Sequence, residues 1–368
     1  VLIFDLVLAT RRPAMTGVER YGVNLFEAVR RARPDTIAFV KNSRDFADRR
    51  GLVTVSSVYG GWLALPLLIS RRRLAPECVI FPTAPASPLF HASATPLCRI
   101  VHDVFPWMRD RAMPLKGRLL YRDVENLMAQ RYNRLLGTTD LVARDLRAQL
   151  RRDDIAACGN APGLDPDGPE SAPVNVPRDF ILAVGTVEPR KDYGRLAQLV
   201  ETGPSTALPI VLVGRPGWGG IVQSIERLAR SRPDRLVWLQ DLSDDGLRWL
   251  YRRAACFLSL SRAEGFNMPL VESAISGRAI LCSDLPIHRA VAPPWARFAA
   301  PSDGADDLWR RIAEAAAAPP SPENVQAYRK LYGWDRIASR LLESIESKAD
   351  LKVCAELTSP SKFMGKSV

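Results

Sequence analysis

Along most of its length the chain alternates short apolar runs with segments long enough for one helix. Val1–Leu8 is followed by an amphipathic stretch over Val18–Arg31, then by Thr36–Val40, Cys78–Phe81 and Leu97–Val101. Such runs at such intervals predict a parallel sheet covered by helices, the α/β class. The alternation breaks once. Gly159–Pro177 holds three glycines and five prolines, which continue neither a helix nor a central strand, and reads as an exposed linker.

Beyond the linker the pattern restarts with Phe180–Val184, Ile210–Val213, Arg235–Leu239, Cys256–Leu260 and Ala279–Cys282. Two Rossmann-like domains in series are therefore expected, over residues 1–165 and 178–330, and 368 residues suffice for each to bury a core. Two such domains would face each other across a cleft. Open α/β sheets bind ligands outside the carboxyl ends of their strands, so the loops directly after strands are the places to look for chemistry. A last segment, 331–348, carries Ile337, Leu341, Leu342 and Ile345 at helical spacing and is expected to cross back to the first domain. Residues 349–368 have a weak pattern and read as a mobile tail.

Charge is unevenly placed. Residues 1–150 carry 23 Lys and Arg against 13 Asp and Glu, net +10 of the chain's +11. The first half thus faces something anionic: nucleic acid, an acidic membrane surface or a phosphorylated lipid. The six cysteines are far apart, with no paired spacing for zinc or a redox dithiol, which suits a reduced cytoplasm. No run reaches the roughly 18 apolar residues of a membrane span, so a soluble or peripheral protein is expected.

Three loops after strands of the second half stand out. In Ser261-Arg-Ala-Glu-Gly-Phe-Asn-Met-Pro-Leu-Val-Glu272, Pro269 suits the first turn of a helix, leaving Glu264 in the preceding loop and Glu272 just inside the helix. Two carboxylates so placed can face one ligand and accept sugar hydroxyls. Gly265 allows close backbone approach, and free amides around Asn267–Leu270 can meet a phosphate. A pair of solvated glutamates beside a cap is the plain alternative.

In Val184-Gly-Thr-Val-Glu-Pro-Arg-Lys191, Gly185 permits a tight turn and Arg190 with Lys191 bring two cations to where a diphosphate would need neutralising. Ile210–Gly220 repeats the strand-then-glycine pattern at Gly214 without forming a dinucleotide fingerprint. In the first half, Thr16-Gly17 opens a helix after the first strand, as a phosphate-capable turn or a simple cap. His102 and Asp103 fall at the end of another strand, and His102 is one of only three histidines.

With these motifs the chain resembles the retaining glycosyltransferases of family 4, of GT-B fold, and among them bacterial mannosyltransferases that build surface polysaccharides. The resemblance runs over most of the chain. It is most specific at Val184–Lys191, Val213–Gly220 and Glu264–Glu272, with support from Thr16–Tyr21 and Val101–Trp107. It implies that Arg190 and Lys191 hold the donor diphosphate and stabilise its leaving charge, that Glu264 contacts the donor hexose, and that Glu272 contacts the ribose. The amides of Phe266, Asn267, Met268 and Leu270 would take hexose and phosphate, alongside Gly185, Gly214 and Gly265. His102 would sit beside the transferred sugar, and the Gly17 turn near phosphate and acceptor.

The resemblance implies transfer of a hexose, mannose favoured, from a GDP-sugar or UDP-sugar to a saccharide or lipid-linked saccharide, with no cofactor and no bound metal. The setting would be cytoplasmic, peripheral on the inner face of the cell membrane, where an anionic membrane surface is a partner. Departures fall at Asn267, at Thr138-Thr-Asp140 and at Gly163-Leu-Asp165, and bear on sugar and acceptor specificity. A nucleotide-sugar 2-epimerase and a non-catalytic transferase-like scaffold are the competing readings. The high pI of 9.6 alone suggests nucleic acid, but no nucleic-acid-binding motif accompanies it, and no nucleic-acid partner is expected.

Overall fold

The computed structural model describes residues 1–12, 15–44, 46–108 and 114–347. The expected tail at 349–368 lies outside them. The chain forms two compact units, one of Val1–Gly163 joined by the helix Trp334–Glu346, the other of Leu164–Tyr332.

The first unit is built on seven parallel strands: β1 (Leu2–Leu6), β2 (Ile37–Val40), β3 (Leu52–Thr54), β4 (Cys78–Phe81), β5 (Leu97–Val101), β6 (Arg134–Gly137) and β7 (Ala156–Ala157). Their order across the sheet is β3-β2-β1-β4-β5-β6-β7. Every residue of β1, β4 and β5 is buried, as strands covered on both faces must be. The second unit has six, β8 (Ile181–Val184), β9 (Ile210–Val213), β10 (Leu236–Leu239), β11 (Cys256–Ser259), β12 (Ala279–Ser283) and β13 (Arg297–Ala299), in the order β10-β9-β8-β11-β12-β13.

Both sheets share one logic. The chain winds outward from the first strand of the unit, then returns to that strand's other side, leaving a crevice between β1 and β4 and another between β8 and β11. Ligands in doubly wound sheets bind at such switch points, because adjacent loops there diverge to opposite faces.

The strands that the apolar pattern does not reveal are β3, β6, β7 and β13. They are short and lie away from the centre. In β6 only Leu135 and Leu136 are apolar, between Arg134 and Gly137, too brief a run to stand out.

The helix Gly17–Ala32 buries Tyr21, Leu25, Phe26 and Val29 on one face. The helix Trp334–Glu346 packs against it through Ile337, Ala338 and Leu341. Trp334 Nε1 donates to Pro162 O at 2.9 Å, and Arg134 Nε donates to Ser344 O at 2.6 Å. Leu341 is fully buried, so truncation to Ala there would cost roughly 2–5 kcal/mol.

The expected exposed linker is only partly so. Ala161 and Leu164 are buried; Tyr21 Oη donates to Gly159 O and Asn24 Nδ2 to Gly163 O. Prolines prevent regular structure here, but side-chain donors satisfy the backbone carbonyls that remain. Among the described residues no helix is long and apolar enough to cross a membrane. The five described cysteines are free and buried.

Candidate active site

At the second switch point, β8 runs into Gly185–Lys191 and β11 into Leu260–Asn267. Neighbouring strands make neighbouring loops, and Arg262 N donates to Arg190 O at 2.8 Å across them. The loop after β9 joins from the other side: Gly185 N donates to Val213 O, and Gly217 N to Val187 O. Gly214 has φ 157°, and a Cβ there would lie 2.0 Å from Gly185 O. Gly185 itself has φ 152°, with its face against Lys191 and Tyr193. Close approach of backbone to backbone requires the glycine at 214, and positive φ with tight side-chain neighbours favours the one at 185.

Within this frame Lys191 Nζ donates to Glu264 Oε1 at 2.5 Å, and Arg190 Nη1 to Glu264 Oε2, also at 2.5 Å. Ser261 Oγ adds a third bond to Oε1 at 2.7 Å. The guanidinium of Arg190 also donates through Nε and Nη2 to Glu188 Oε1. Two cations and two carboxylates thus interleave in a site where the Glu264 side chain is only 5 % exposed. A small cavity beside them is lined by Lys191, Tyr193, Ser259 and Ser261.

The two carboxylates respond oppositely. Burial is the largest influence on Glu264 and pushes its carboxyl up, but Lys191 and Arg190 together, with bonds from Lys191 and Ser261, hold it well below the usual range. Glu264 is therefore ionised at any working pH. For Glu188, burial prevails over the pull of Arg190 and Lys191, and nearby Glu264 adds to the upward shift.

Sequence placed Glu264 and Glu272 before one ligand. The structure gives them different partners. Glu272 is buried with Oε2 accepting from Tyr251 Oη at 2.8 Å and Oε1 accepting from Leu164 N at 3.2 Å, so it ties the first residue of the unit to the helices Asp244–Arg253 and Met268–Ile275. Nor is either glutamate solvated.

The turn before the helix Met268–Ile275 is also differently built. Its left-handed residue is Asn267, at φ 65°, a conformation Asn tolerates better than most side chains. Asn267 Nδ2 donates to Ser259 Oγ and to His288 Nε2, each at 2.8 Å. His288 Nδ1 faces Ser283 O at 2.7 Å and carries the proton, which leaves Nε2 as the acceptor. Burial lowers the His288 pKa, so the ring stays neutral. Leu270 N donates to Asn267 O at 3.0 Å. This is a correction to the expected set of free amides, because the tight first turn consumes Leu270's own. Phe266 and Met268 are buried at the turn, as is Gly265.

Ser259, Ser261, Glu188, Tyr251 and His288 were not singled out from sequence. Four of the five follow or end a strand, or share the quoted loop; His288, just past β12 and one of three histidines, gave the clearest missed signal.

The first unit holds the remaining candidates. Thr16 N donates to Glu19 Oε2 at 2.7 Å, so the Gly17 turn is organised by a capping box, the simpler of its two readings. His102 Nε2 donates to Pro82 O at 2.6 Å, joining the loops after β5 and β4, and its ring meets Tyr21 edge-on at 4.6 Å. Burial brings the His102 pKa down to about 4 despite that bond. The ring is neutral, with Nδ1 as its acceptor. Below it, Arg99 Nε donates to Glu125 Oε2 at 2.9 Å, both side chains buried. Burial pushes Asp5 up to about 7 against a bond from Val7 N and the nearby charge of Arg99.

Residues 168–331 match the family model described as glycosyl transferases group 1. The second unit is thus similar to glycosyl transferases of group 1. The whole chain has the GT-B architecture of two Rossmann-like units. A solved structure of Anabaena Alr3699/HepE in complex with UDP-glucose is similar at a TM-score of 0.68 and 14 % identity, covering 94 % of this chain and 98 % of that one. The serotype-specific mannosyltransferase WbdA of Escherichia coli is 28 % identical over 282 residues, 67 % of this chain and 33 % of WbdA. The O-antigen chain mannosyltransferase RfbU of Salmonella typhimurium is 24 % identical over 78 % of this chain and 84 % of its own length. The chain spans about a third of the length of the first curated relatives it matches. The clustered candidates Arg190, Lys191, Glu264 and Asn267 all fall within the matched residues.

Proposed function

We propose that this chain is a retaining glycosyltransferase that moves a hexose, mannose favoured, from a GDP-sugar or UDP-sugar to a saccharide or lipid-linked saccharide acceptor in surface polysaccharide synthesis. The observation that carries the reading is the Lys191–Glu264–Arg190 clamp at a Rossmann switch point. Lys191 keeps two ammonium protons beyond its bond to Glu264, and these with Arg190 would meet a diphosphate and take up charge as it leaves. Glu264, ionised and fixed from three sides, would accept donor hexose hydroxyls. Neutral His102 would offer Nδ1 to the transferred sugar. Two fixed cations would replace a metal ion at the diphosphate, and the enzyme would need no cofactor.

Support comes from relatives named as mannosyltransferases and from a similar structure in complex with UDP-glucose. The proposed setting is the cytoplasmic side of an anionic membrane. Incubation of the protein with radiolabelled GDP-mannose or UDP-glucose and a membrane extract tests this. Label should pass into saccharide with the anomeric configuration of the donor retained; inversion, or release only as free sugar, contradicts the reading.

A further inference from the structure

Arg190 serves two carboxylates at once. Its Nε and Nη2 donate to Glu188 Oε1 at 3.0 and 2.7 Å, while Nη1 donates to Glu264 Oε2 at 2.5 Å and to Ala263 O at 3.0 Å. All three guanidinium nitrogens are thus engaged by protein oxygens. The edge formed by Nε and Nη2, which can grip a phosphate with two parallel bonds, is turned to Glu188.

The two carboxylates are unequally tied. Glu264 is also held by Lys191 Nζ at 2.5 Å and Ser261 Oγ at 2.7 Å, and these partners remain if Arg190 turns away. Glu188 has Arg190 as its one hydrogen-bonding cation among the described residues, and its side chain is only 5 % exposed. The other charges acting on it are Lys191, which is bound to Glu264, and Glu264 itself, which repels it. Tyr193 donates to Gly185 O and is kept protonated by burial. From the loop after β11, Arg262 is paired with Asp192 at 3.0 Å; from the loop after β9, Arg215 presents its carbonyl to Val187 N. His288, bound to Asn267, is neutral. With both glutamates ionised, Arg190, Lys191, Glu188 and Glu264 together carry no net charge, a poor seat for a dianionic diphosphate.

We propose that Glu188 is a proton-linked positioning residue for the donor: a nucleotide diphosphate sugar takes the Nε–Nη2 edge of Arg190 from Glu188, and the released carboxylate binds one proton from solvent. The proposal deepens, and rests on, the donor reading of the proposed function. An ionised carboxylate left buried without its counter-charge is strongly unfavourable, and a proton from water removes that charge. The cluster then carries +1 and opposes the diphosphate with both cations. The only covalent change is the O–H bond formed on Glu188. Burial already pushes this carboxyl up while Arg190 is still bound to it.

The test is calorimetric titration of GDP-mannose and of UDP-glucose into the full chain, in PIPES and in imidazole, from about pH 6 to about pH 8.5. The two buffers differ in protonation enthalpy, and neither sugar nucleotide has a phosphate that titrates over this range. Binding should draw up to one proton per site from the buffer. Glu188 should hold its proton to higher pH in the complex than in the free protein, so affinity should fall as pH rises, about tenfold for each unit between the two pKa values. Glu188→Gln keeps an acceptor for Arg190 and has no proton to gain. At a parental melting temperature it should bind without proton uptake and with a flat pH profile, and at about pH 8.5 about tenfold more tightly than the parent. A merely supporting Glu188 would give a Gln variant that binds more weakly at every pH. That result overturns the proposal, as does proton uptake that persists in the variant. If Glu188→Gln does not fold, the parent alone decides, since donor binding without proton uptake overturns this proposal and leaves the donor reading standing. Binding of neither sugar nucleotide at any pH overturns both.

Discussion

Lys191 Nζ lies 2.5 Å from Glu264 Oε1 although 73 residues separate them in the chain. Strand order makes the pair possible: β8 and β11 become neighbours only when the chain returns to the inner side of its own first strand. Arg190 takes the other oxygen of the same carboxylate. The carboxylate is thereby fixed in orientation as well as in charge, before any ligand arrives.

Removing one jaw of this clamp should have two effects. Lys191→Ala is expected to lower sugar transfer by about a hundredfold or more, the usual loss when a preorganised charge partner is deleted. It should also destabilise the protein by about 2–3 kcal/mol, because Glu264 stays buried with one counter-charge fewer. Adding Glu264→Gln should restore much of the stability and none of the activity. Urea denaturation and steady-state turnover of the two variants check this; a Lys191→Ala enzyme with parental values in both contradicts it.

Asp5 should make stability fall as pH rises. Its folded pKa, about 7, lies above the ordinary 3.8, so the native state keeps a proton that the unfolded chain releases. The associated stabilisation is complete below the ordinary value and is lost as pH climbs through the folded one, on the order of 4 kcal/mol at most. Asp5→Asn keeps an acceptor for Val7 N and cannot ionise. Denaturant midpoints at about pH 5 and about pH 8 should differ less in Asp5→Asn than in the parent. Parallel curves for the two proteins would count against a raised Asp5.

Asn267 joins backbone and side-chain roles that substitutions can separate. Asn267→Ala loses both bonds to Ser259 and His288 and forces a Cβ into the left-handed region, whereas Asn267→Gly loses the bonds alone. The alanine variant should be less stable than the glycine variant by about 1 kcal/mol, seen in melting temperature. The reverse order would mean the turn is not left-handed.

Transfer should survive chelation. With Arg190 and Lys191 opposing the diphosphate, activity in excess EDTA is expected to match that in magnesium. Loss of turnover in EDTA that magnesium or manganese restores would assign the diphosphate charge to a metal.

The sequence made the central strands legible because their burial on both faces leaves uninterrupted apolar runs; β4 and β5 match their runs residue for residue. Edge strands such as β3 and β13 are half-covered and carry no such mark. Arg190, Lys191 and Glu264 could be singled out because each lies just after a strand, and strand ends in parallel sheets converge. Their mutual pairing could not be read, since it depends on strand order, which local pattern does not encode. Glu272 looked like Glu264's counterpart by spacing alone, yet its environment is set by Tyr251 and Leu164, which are distant in the chain. The same limit hid His288, whose partner Asn267 lies 21 residues away.

Calorimetric titration of GDP and UDP into the parent protein and into Lys191→Ala tests the clamp most directly. One of the two nucleotides should bind the parent without added metal, and at a hundred times its dissociation constant it should stabilise the fold by about 2.7 kcal/mol. Lys191→Ala, still folded, should bind at least tenfold more weakly. Failure of both nucleotides to bind the parent, or equal affinity in the variant, would contradict the assignment of this site to a nucleotide diphosphate.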